Sequence, residues 1–411
     1  MALIVAKFGG TSVADVERIE RAADKIVREV EAGHQVAVVV SAMSGVTNQL
    51  VGYCGEVSKM HDLREYDVVV SSGEQVTSGL MAMALQKRGI AARSWLGWQV
   101  PVKTNDIHGK ARIVDIETDE LKKRLGEGEV AVMPGFQGVT SANRVSTLGR
   151  GGSDTSAVAM AAALGADRCD IYTDVDGVYT TDPRIVPAAR KIKKVSYEEM
   201  LELASLGAKV LQTRSVEIAA KQNVSLQVLS SFEDHVGSDL PGTLVTKEED
   251  IMEQELVTGI AFSRDEAKVT VLNVPDVPGI AAKIFSPLAD ANVNVDMIVQ
   301  NISTDGKATD MTFTAPKNEL ERALETLKKQ DFLKDAEILS NDNVSKVSVV
   351  GIGMRSHAGV ANTMFETLAE KNINIQVIST SEIKISVLIE TDYTELAVRA
   401  LHAAYGLEET A

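Results

Sequence analysis

Lys7-Phe8-Gly9-Gly10-Thr11-Ser12 follows the apolar run Leu3-Ile4-Val5-Ala6 and precedes a helical pattern of Val13, Val16, Ile19, Ala22 and Ile26. A strand therefore ends in a lysine, a glycine pair and two hydroxyls, and a helix begins. Glycines let backbone N–H groups approach an anion, a helix N-terminus favours negative charge, and the lysine adds a full positive one. The stretch outlines a phosphate site. It is not a Walker A loop, because its lysine precedes its glycines. Read alone, a strand–Gly-Gly–helix passage is equally a plain tight turn.

Outward from that loop, short apolar runs alternate with helical patterns up to residue 231. Strands are predicted over 3–6, 35–40, 92–95, 129–133, 169–173 and 225–229. Helices are predicted near 13–32, 74–88, 117–125, 154–164, 196–206 and 209–221. Such alternation implies a mostly parallel α/β sheet with helices on both faces. Ligands of such sheets bind beyond the carboxyl ends of the strands. Lys7, Ser41, Gly135 and Asp174 all follow strands and are predicted to converge there.

Residues 232–256 change character. Gly237, Pro241 and Gly242 punctuate them, and Lys247-Glu248-Glu249-Asp250 is a charge run, so they read as a linker. The remainder holds an internal repeat. Pro278-Gly279-Ile280-Ala281, Phe285, Leu288-Ala289 and Asn292-Val293-Asn294-Val295 recur as Ala358-Gly359-Val360-Ala361, Phe365, Leu368-Ala369 and Asn372-Ile373-Asn374-Ile375. Helical periodicity alone does not fix a Gly, a Phe and two Asn in register. Each copy reads strand, helix, strand, strand, helix, which is a ferredoxin-like βαββαβ unit short of one strand. Copy one can take its last strand from 336–339. Copy two has no later strand, whereas 257–262 is a strand without a partner. The expectation is that 257–262 joins 343–411 as one domain and that 263–342 is inserted within it.

Net charge is −16, from 42 basic and 58 acidic residues, and only 4% of residues are aromatic. Both argue against a nucleic-acid partner. Cys54 and Cys169 fit no metal or redox spacing and read as reduced thiols. No apolar run is long enough to cross a bilayer and no signal segment is recognisable, so no membrane and a cytoplasmic location are expected.

Two further segments carry chemistry. Thr147-Leu148-Gly149-Arg150-Gly151-Gly152-Ser153-Asp154-Thr155 opens an apolar helix. Ser153 and Asp154 stand at capping positions, which is the plain alternative. Arg150 inside a glycine run is suited to gripping a carboxylate bidentately. Thr173-Asp174-Val175-Asp176-Gly177-Val178-Tyr179-Thr180-Thr181-Asp182-Pro183-Arg184 is a long polar loop after a buried strand. It lacks the distal glutamate of an EF-hand, since position 12 counted from Asp174 is Ile185. It suits a nucleotide, with Tyr179 as a ring contact and Arg184 as a phosphate contact. Otherwise it is a structural loop.

Ser41-Ala42-Met43-Ser44-Gly45-Val46-Thr47-Asn48 is a small-residue turn after a strand. Glu74, in Ser72-Gly73-Glu74-Gln75, sits in a first helical turn, where dipole compensation alone accounts for a glutamate. Lys209 opens a helix, where a cation is unfavourable. The histidines at 34, 61, 108, 235, 357 and 402 avoid the glycine motifs of the first 230 residues. The absence of a general base implies a nucleophile already ionised at neutral pH, such as a carboxylate.

Together, Lys7–Ser12, Ser41–Asn48, Ser72–Gln75, Gly149–Asp154 and Thr173–Arg184 resemble the amino acid kinase family, and within it the branch acting on aspartate. The tandem repeat resembles paired ACT domains. The resemblance covers nearly the whole chain. It implies an N-terminal three-layer sandwich with a mostly parallel sheet over 1–231, a linker over 232–256 and two ferredoxin-like ACT domains. It implies ATP-dependent phosphorylation of the L-aspartate side chain, with ATP and Mg²⁺ as cofactors and the metal carried in on the phosphates. The family's glutamate and N-acetylglutamate kinases are the nearest alternative, and the loop at 7–12 and the ACT pair count against them.

The resemblance gives catalytic roles to Lys7 and Asp154. It gives ATP binding to Lys7, Gly9, Gly10, Ser41, Thr173, Asp174, Tyr179, Arg184 and Lys209. It gives aspartate binding to Thr47, Glu74, Arg150, Gly151, Gly152 and Ser153. On the ACT repeats it implies effector contacts at Asp276, Gly279, Ile280, Ala281, Asn294, Val295, Asp296 and Gln300, and at Asn374, Ile375, Thr380 and Ser381. Lysine and threonine are the implied effectors. A homo-oligomer is implied, or an assembly with a separately made regulatory subunit, for which Met252 would be an internal start.

Overall fold

The computed structural model describes the chain except residues 207–209, 235–236, 238–241, 252–255, 303–307, 335, 358 and 409–411. Its chain forms two compact units. The first holds 1–178, 191–204 and the described part of 209–252. Its elements are β1 (Leu3–Phe8), α1 (Val16–Glu31), β2 (Gln35–Val40), α2 (Val46–Val57), α3 (Leu63–Val70), α4 (Ser72–Lys87), β3 (Ala92–Ser94), β4 (Val102–Thr104), β5 (Ile113–Ile116) and α5 (Asp119–Gly126). There follow β6 (Val130–Pro134), β7 (Gln137–Val139), β8 (Val145–Thr147), α6 (Gly152–Leu164), β9 (Arg168–Thr173), β10 (Lys194–Ser196), α7 (Tyr197–Ser205), α8 (Thr213–Gln222), β11 (Leu226–Ser230) and β12 (Thr243–Thr246).

Eight strands form the main sheet in the order β10-β12-β11-β9-β1-β2-β6-β3. All pairs are parallel except β11 with β12. Parallel strands are covered on both faces, which is why β1 and β2 are almost continuously apolar and buried. Ala6, Phe8, Val36, Val38 and Val40 pack with Ile19, Ala22, Ala23 and Ile26 of α1 and Met81, Ala82 and Leu85 of α4. Side chains alternate along a strand, so Val5 and Lys7 face the opposite side. That side is covered by α6.

Three features differ from the sequence expectation. The long helix starts at Val16, with Asp15 as its N-cap accepting from Arg18 N–H. Residues Gly10–Val13 form a 3-10 turn instead. The glycine loop therefore precedes a tight turn, and the dipole end of α1 is already capped by a carboxylate. A second, four-stranded sheet in the order β5-β4-β7-β8 lies between residues 102 and 147. Lastly, the segment expected as a linker contributes β12, whose Val245 is fully buried.

The second unit contains 179–190, 205–206 and the described residues from 253 onward. Its sheet is built from β13 (Gly259–Pro275), β14 (Asp296–Ile302), β15 (Ala308–Ala315), β16 (Glu337–Val350), β17 (Val377–Thr380) and β18 (Lys384–Glu390), with helices α9 (Ile280–Asp290), α10 (Leu320–Lys328), α11 (Val360–Glu370) and α12 (Thr394–Ala404). Both long strands are shared. The first half of β13 pairs Gly259 with Val350 and Ser263 with Lys346, and the second half pairs Val269 with Phe313 and Ser340. The second half of β16 continues onto β18. Residues 259–263 therefore sit in the sheet of copy two, beside its first strand.

The repeat has a backbone cause. Gly279 and Gly359 precede α9 and α11 at φ of 89° and 106°, and Asn292 and Asn372 follow them at 53° each. These left-handed positions favour glycine and asparagine. Of the polar loop after β9, Ile185, Val186 and Ala189 enter the apolar core of copy two with Val257, Ile260, Met364 and Leu401.

Candidate active site

Lys7 stands near the carboxyl end of β1 on the face that α6 covers. Its Nζ meets Asp154 Oδ1 at 2.5 Å, and each residue is 8% exposed. The approach lacks hydrogen-bond alignment at Oδ1. It is an electrostatic contact that leaves ammonium donors for a further anion. Asp154 occupies the first turn of α6, whose N-cap is Gly151 without any side-chain cap. The plain N-cap explanation for Ser153 and Asp154 is thereby removed.

Close backbone approach draws the other loops to this pair. Gly9 N–H donates to Tyr172 O at 3.2 Å, and Ser12 Oγ donates to the same oxygen at 3.2 Å. The glycine loop thus lies against the end of β9. A Cβ on Gly9 would stand 3.4 Å from Lys7 Nζ, and one on Gly10 3.2 Å from Ala42 O. A Cβ on Gly73 would meet Ala42 Cβ at 2.8 Å, one on Gly135 would meet Ser153 Cα at 2.8 Å, and one on Gly151 would collide with Gln212. Gly151 is also left-handed, at φ 68°. Phe136, beside this junction, has φ 69°, where a bulky residue is strained. Its N–H donates to Ser156 Oγ at 3.0 Å. Strain of this kind persists where the surroundings over-determine it, as at functional sites.

Glu74, in the first turn of α4, is 3% exposed. Burial pushes its carboxyl up to about 7, against smaller opposing effects of its own N–H and that of Ala42. Among the described residues its Oε2 has no hydrogen-bond partner. Arg150 is exposed between two left-handed glycines, Gly149 and Gly151. Among the described residues it makes no ion pair or hydrogen bond. Thr47 is half-buried in the first turn of α2. Thr173 ends β9 and its Oγ1 donates to Asp174 Oδ1 at 3.2 Å. Ser41 N–H donates to Phe8 O at 3.0 Å, so its turn adjoins the glycine loop.

Three of the residues expected to hold the nucleotide fall outside the described part of the first unit. Tyr179 and Arg184 belong to the second unit. There Tyr179 packs against the apolar core of copy two, and Arg184 is bound by Asp182 through Nε at 3.0 Å and Nη2 at 2.7 Å. Lys209 lies outside the described residues. Sequence reasoning also missed Asp67, His108 and Arg214, which anchor the Arg150 turn from elements distant in sequence. The signal available was a lone aspartate inside the apolar stretch Tyr66-Asp67-Val68-Val69-Val70.

On the repeats, Gln300 Nε2 reaches Asp276 Oδ1 at 3.5 Å, and Glu319 accepts the Asn294 N–H at 2.8 Å. Asp296 pairs with the buried Lys346 at 2.8 Å, which holds its carboxyl below the usual range despite burial. Gly279 caps α9, which begins with Ile280 and Ala281, and Val295 borders the core of copy one. Asn374 is exposed, Ile375 borders the core of copy two, Thr380 ends β17 and Ser381 N–H donates to Lys384 O at 2.8 Å.

Residues 2–230 match the amino acid kinase family, and 268–332 and 347–405 each match an ACT domain. The chain is 57% identical to an aspartokinase of Pseudomonas aeruginosa, covering 100% of this chain and 99% of that one. Its fold superposes on E. coli aspartokinase III in complex with aspartate and ADP with a TM-score of 0.79, at 27% identity over 98% of this chain and 99% of the other. The lysine and aspartate complex of the same enzyme superposes with a TM-score of 0.76, at 27% identity over 98% and 99%. With a family match over residues 2–230, two ACT matches beyond it and 57% identity to an aspartokinase over the full length, the chain belongs to the amino acid kinase family, in its aspartokinase branch.

Proposed function

We propose that the chain transfers the terminal phosphoryl group of ATP to the side-chain carboxylate of L-aspartate, giving 4-phospho-L-aspartate and ADP. The observation that carries this reading is the nearly buried Lys7–Asp154 pair over the side-chain-free surface of Gly9 and Gly10. A carboxylate oxygen attacks the γ-phosphorus while the bond to the ADP oxygen breaks, and no proton need be removed. Lys7 and the Gly9 and Gly10 backbone stabilise charge on the transferring group, and Asp154 orients Lys7. Glu74 receives the substrate ammonium and Arg150 its α-carboxylate, with Thr47, Gly151, Gly152 and Ser153 completing the pocket. Ser41, Thr173, Asp174, Tyr179, Arg184 and Lys209 hold the nucleotide. Mg²⁺ would be held by the ATP phosphates, its usual mode, and would neutralise charge on the transferring group. The aspartate and ADP bound by the similar E. coli enzyme support the substrate pair. ADP release measured with aspartate, glutamate and N-acetylglutamate tests the reading. Turnover with aspartate alone is expected, and equal turnover with glutamate would overturn it.

The raised Glu74 carboxyl makes aspartate binding pH-dependent. The substrate ammonium selects ionised Glu74, and below about 7 the free enzyme holds it protonated. Binding then requires loss of a proton, so affinity falls as pH falls. KM for aspartate is expected to rise about tenfold per pH unit below 7 and to level off above it. In Glu74→Gln the KM is high and flat over the same range. A flat profile in the unmodified chain would remove Glu74 from the ammonium site.

The product enters lysine, threonine and methionine synthesis on this reading. On this reading the catalytic domain spans 1–231, the connecting segment 232–256 adds β12 to its sheet, and the two ACT domains are 263–342 and 257–262 with 343–411. The lysine bound by the E. coli relative supports an amino-acid effector at the ACT repeats. Concerted inhibition by lysine plus threonine is expected in a homo-oligomer, with the effector face around Asp276, Gly279, Asn294, Gln300, Asn374 and Thr380. Titrating each amino acid alone and both together decides it. Merely additive inhibition excludes the concerted form.

A further inference from the structure

Asp67, on α3, is fully buried and has no catalytic or binding role in the reading above. A buried carboxylate is costly unless its oxygens are satisfied. Oδ1 accepts the Thr147 hydroxyl at 2.6 Å. Gly109 N–H donates to both oxygens at 3.1 Å, and Oδ2 meets His108 Nδ1 at 2.7 Å. A carboxylate oxygen accepts and a ring N–H donates, which makes His108 Nδ1 the donor in this contact.

These partners converge on the turn that carries Arg150. Thr147 ends β8, and its carbonyl accepts Ala111 N–H at 2.8 Å. Leu148 N–H donates to Phe136 O at 2.9 Å, and Leu148 O accepts from Arg214 Nη1 at 3.0 Å. Arg214 Nη2 donates to Ala111 O at 3.0 Å, closing the network onto the 105–112 loop. A Cβ on Gly149 would stand 3.3 Å from Gly109 O. Thr147, Leu148 and Gly149 are thus held one after another, and the next residue is the exposed, unpaired Arg150.

We propose that Asp67, locked by His108 and acting through Thr147, is a positioning residue that fixes the turn from which Arg150 grips the substrate α-carboxylate. The proposal rests on the reading of Arg150 given above. A fixed base concentrates the guanidinium in its bidentate geometry before substrate arrives, so the benefit is specific to aspartate affinity.

The test is KM for aspartate and for ATP in the full chain. Thr147→Val is isosteric and deletes one hydroxyl. It should raise aspartate KM about tenfold with ATP KM within about twofold, and Thr147→Ser should restore it. His108→Ala should act in the same direction. His108→Asn, whose amide nitrogen takes the place of Nδ1, should recover most of the loss. In an Arg150→Ala background Thr147→Val should add nothing, because the two act as one unit. If Arg150→Ala itself leaves aspartate KM unchanged, the reading of Arg150 fails and the proposal with it. If Arg150→Ala raises aspartate KM but Thr147→Val and His108→Ala lower only the Tm, or raise both KM values alike, the network is structural and the proposal alone is overturned. Should Thr147→Val not fold, the His108→Ala and His108→Asn pair decides on the same readout.

Discussion

Lys7→Ala is expected to lower kcat by about 10²–10³-fold while changing ATP KM only a few-fold, the cost of removing a preorganised donor aimed at transition-state charge. The strand dictates the aim. Ala6 and Phe8 are committed to the core under α1 and α4, so Lys7 must project to the α6 face beside Asp154. Deletion has a second effect, because it leaves the Asp154 carboxylate nearly buried without its counterion. Breaking such a pair typically costs about 3–5 kcal/mol. Loss of activity could then be mistaken for loss of fold. The double variant Lys7→Ala/Asp154→Asn separates the two, since it removes both charges. Its Tm should return toward that of the unmodified chain, and its kcat should not. Recovery of turnover in the double variant would show that Lys7 acts only by neutralising Asp154.

What could be read from sequence follows from where the information lies. β1, β2, β6 and β9 are buried on both faces, so their apolar runs are continuous and visible. The strands β4, β7 and β8 have three residues each, too few to show a period. Helix α2 is largely exposed and contains Gly52 and Gly55, so it carries neither an apolar stripe nor strong helix formers. β12 was hidden because Thr243-Leu244-Val245-Thr246 lies between turn residues and a charge run. In the site, the glycine motifs were legible because each needs local backbone freedom, as at Gly149 and Gly151. The Asp67 network was not, because its partners lie 41 and 80 residues away and only the fold joins them. His108, distant in sequence from the glycine motifs, reaches one of them through that carboxylate.

Arg150→Ala is expected to raise aspartate KM about 10- to 150-fold, the range for losing a charge-assisted, bidentate contact. The side chain is exposed and unpaired, so its removal should leave Tm nearly unchanged. Arg150→Lys should recover only part of the affinity, since an ammonium is a point charge and cannot match a carboxylate with two parallel N–H groups. A higher KM alone would not say which substrate group Arg150 holds. β-Alanine is aspartate without the α-carboxylate, and it keeps both the ammonium for Glu74 and the acceptor carboxylate. If Arg150 grips the α-carboxylate, Arg150→Ala lowers kcat/KM for aspartate and leaves that for β-alanine unchanged. The unmodified chain should then treat β-alanine about as poorly as the variant treats aspartate, because each lacks one half of the same contact. An equal fall for both substrates would instead place Arg150 against the acceptor carboxylate or the phosphates, and the division of labour between Arg150 and Lys7 would have to be redrawn.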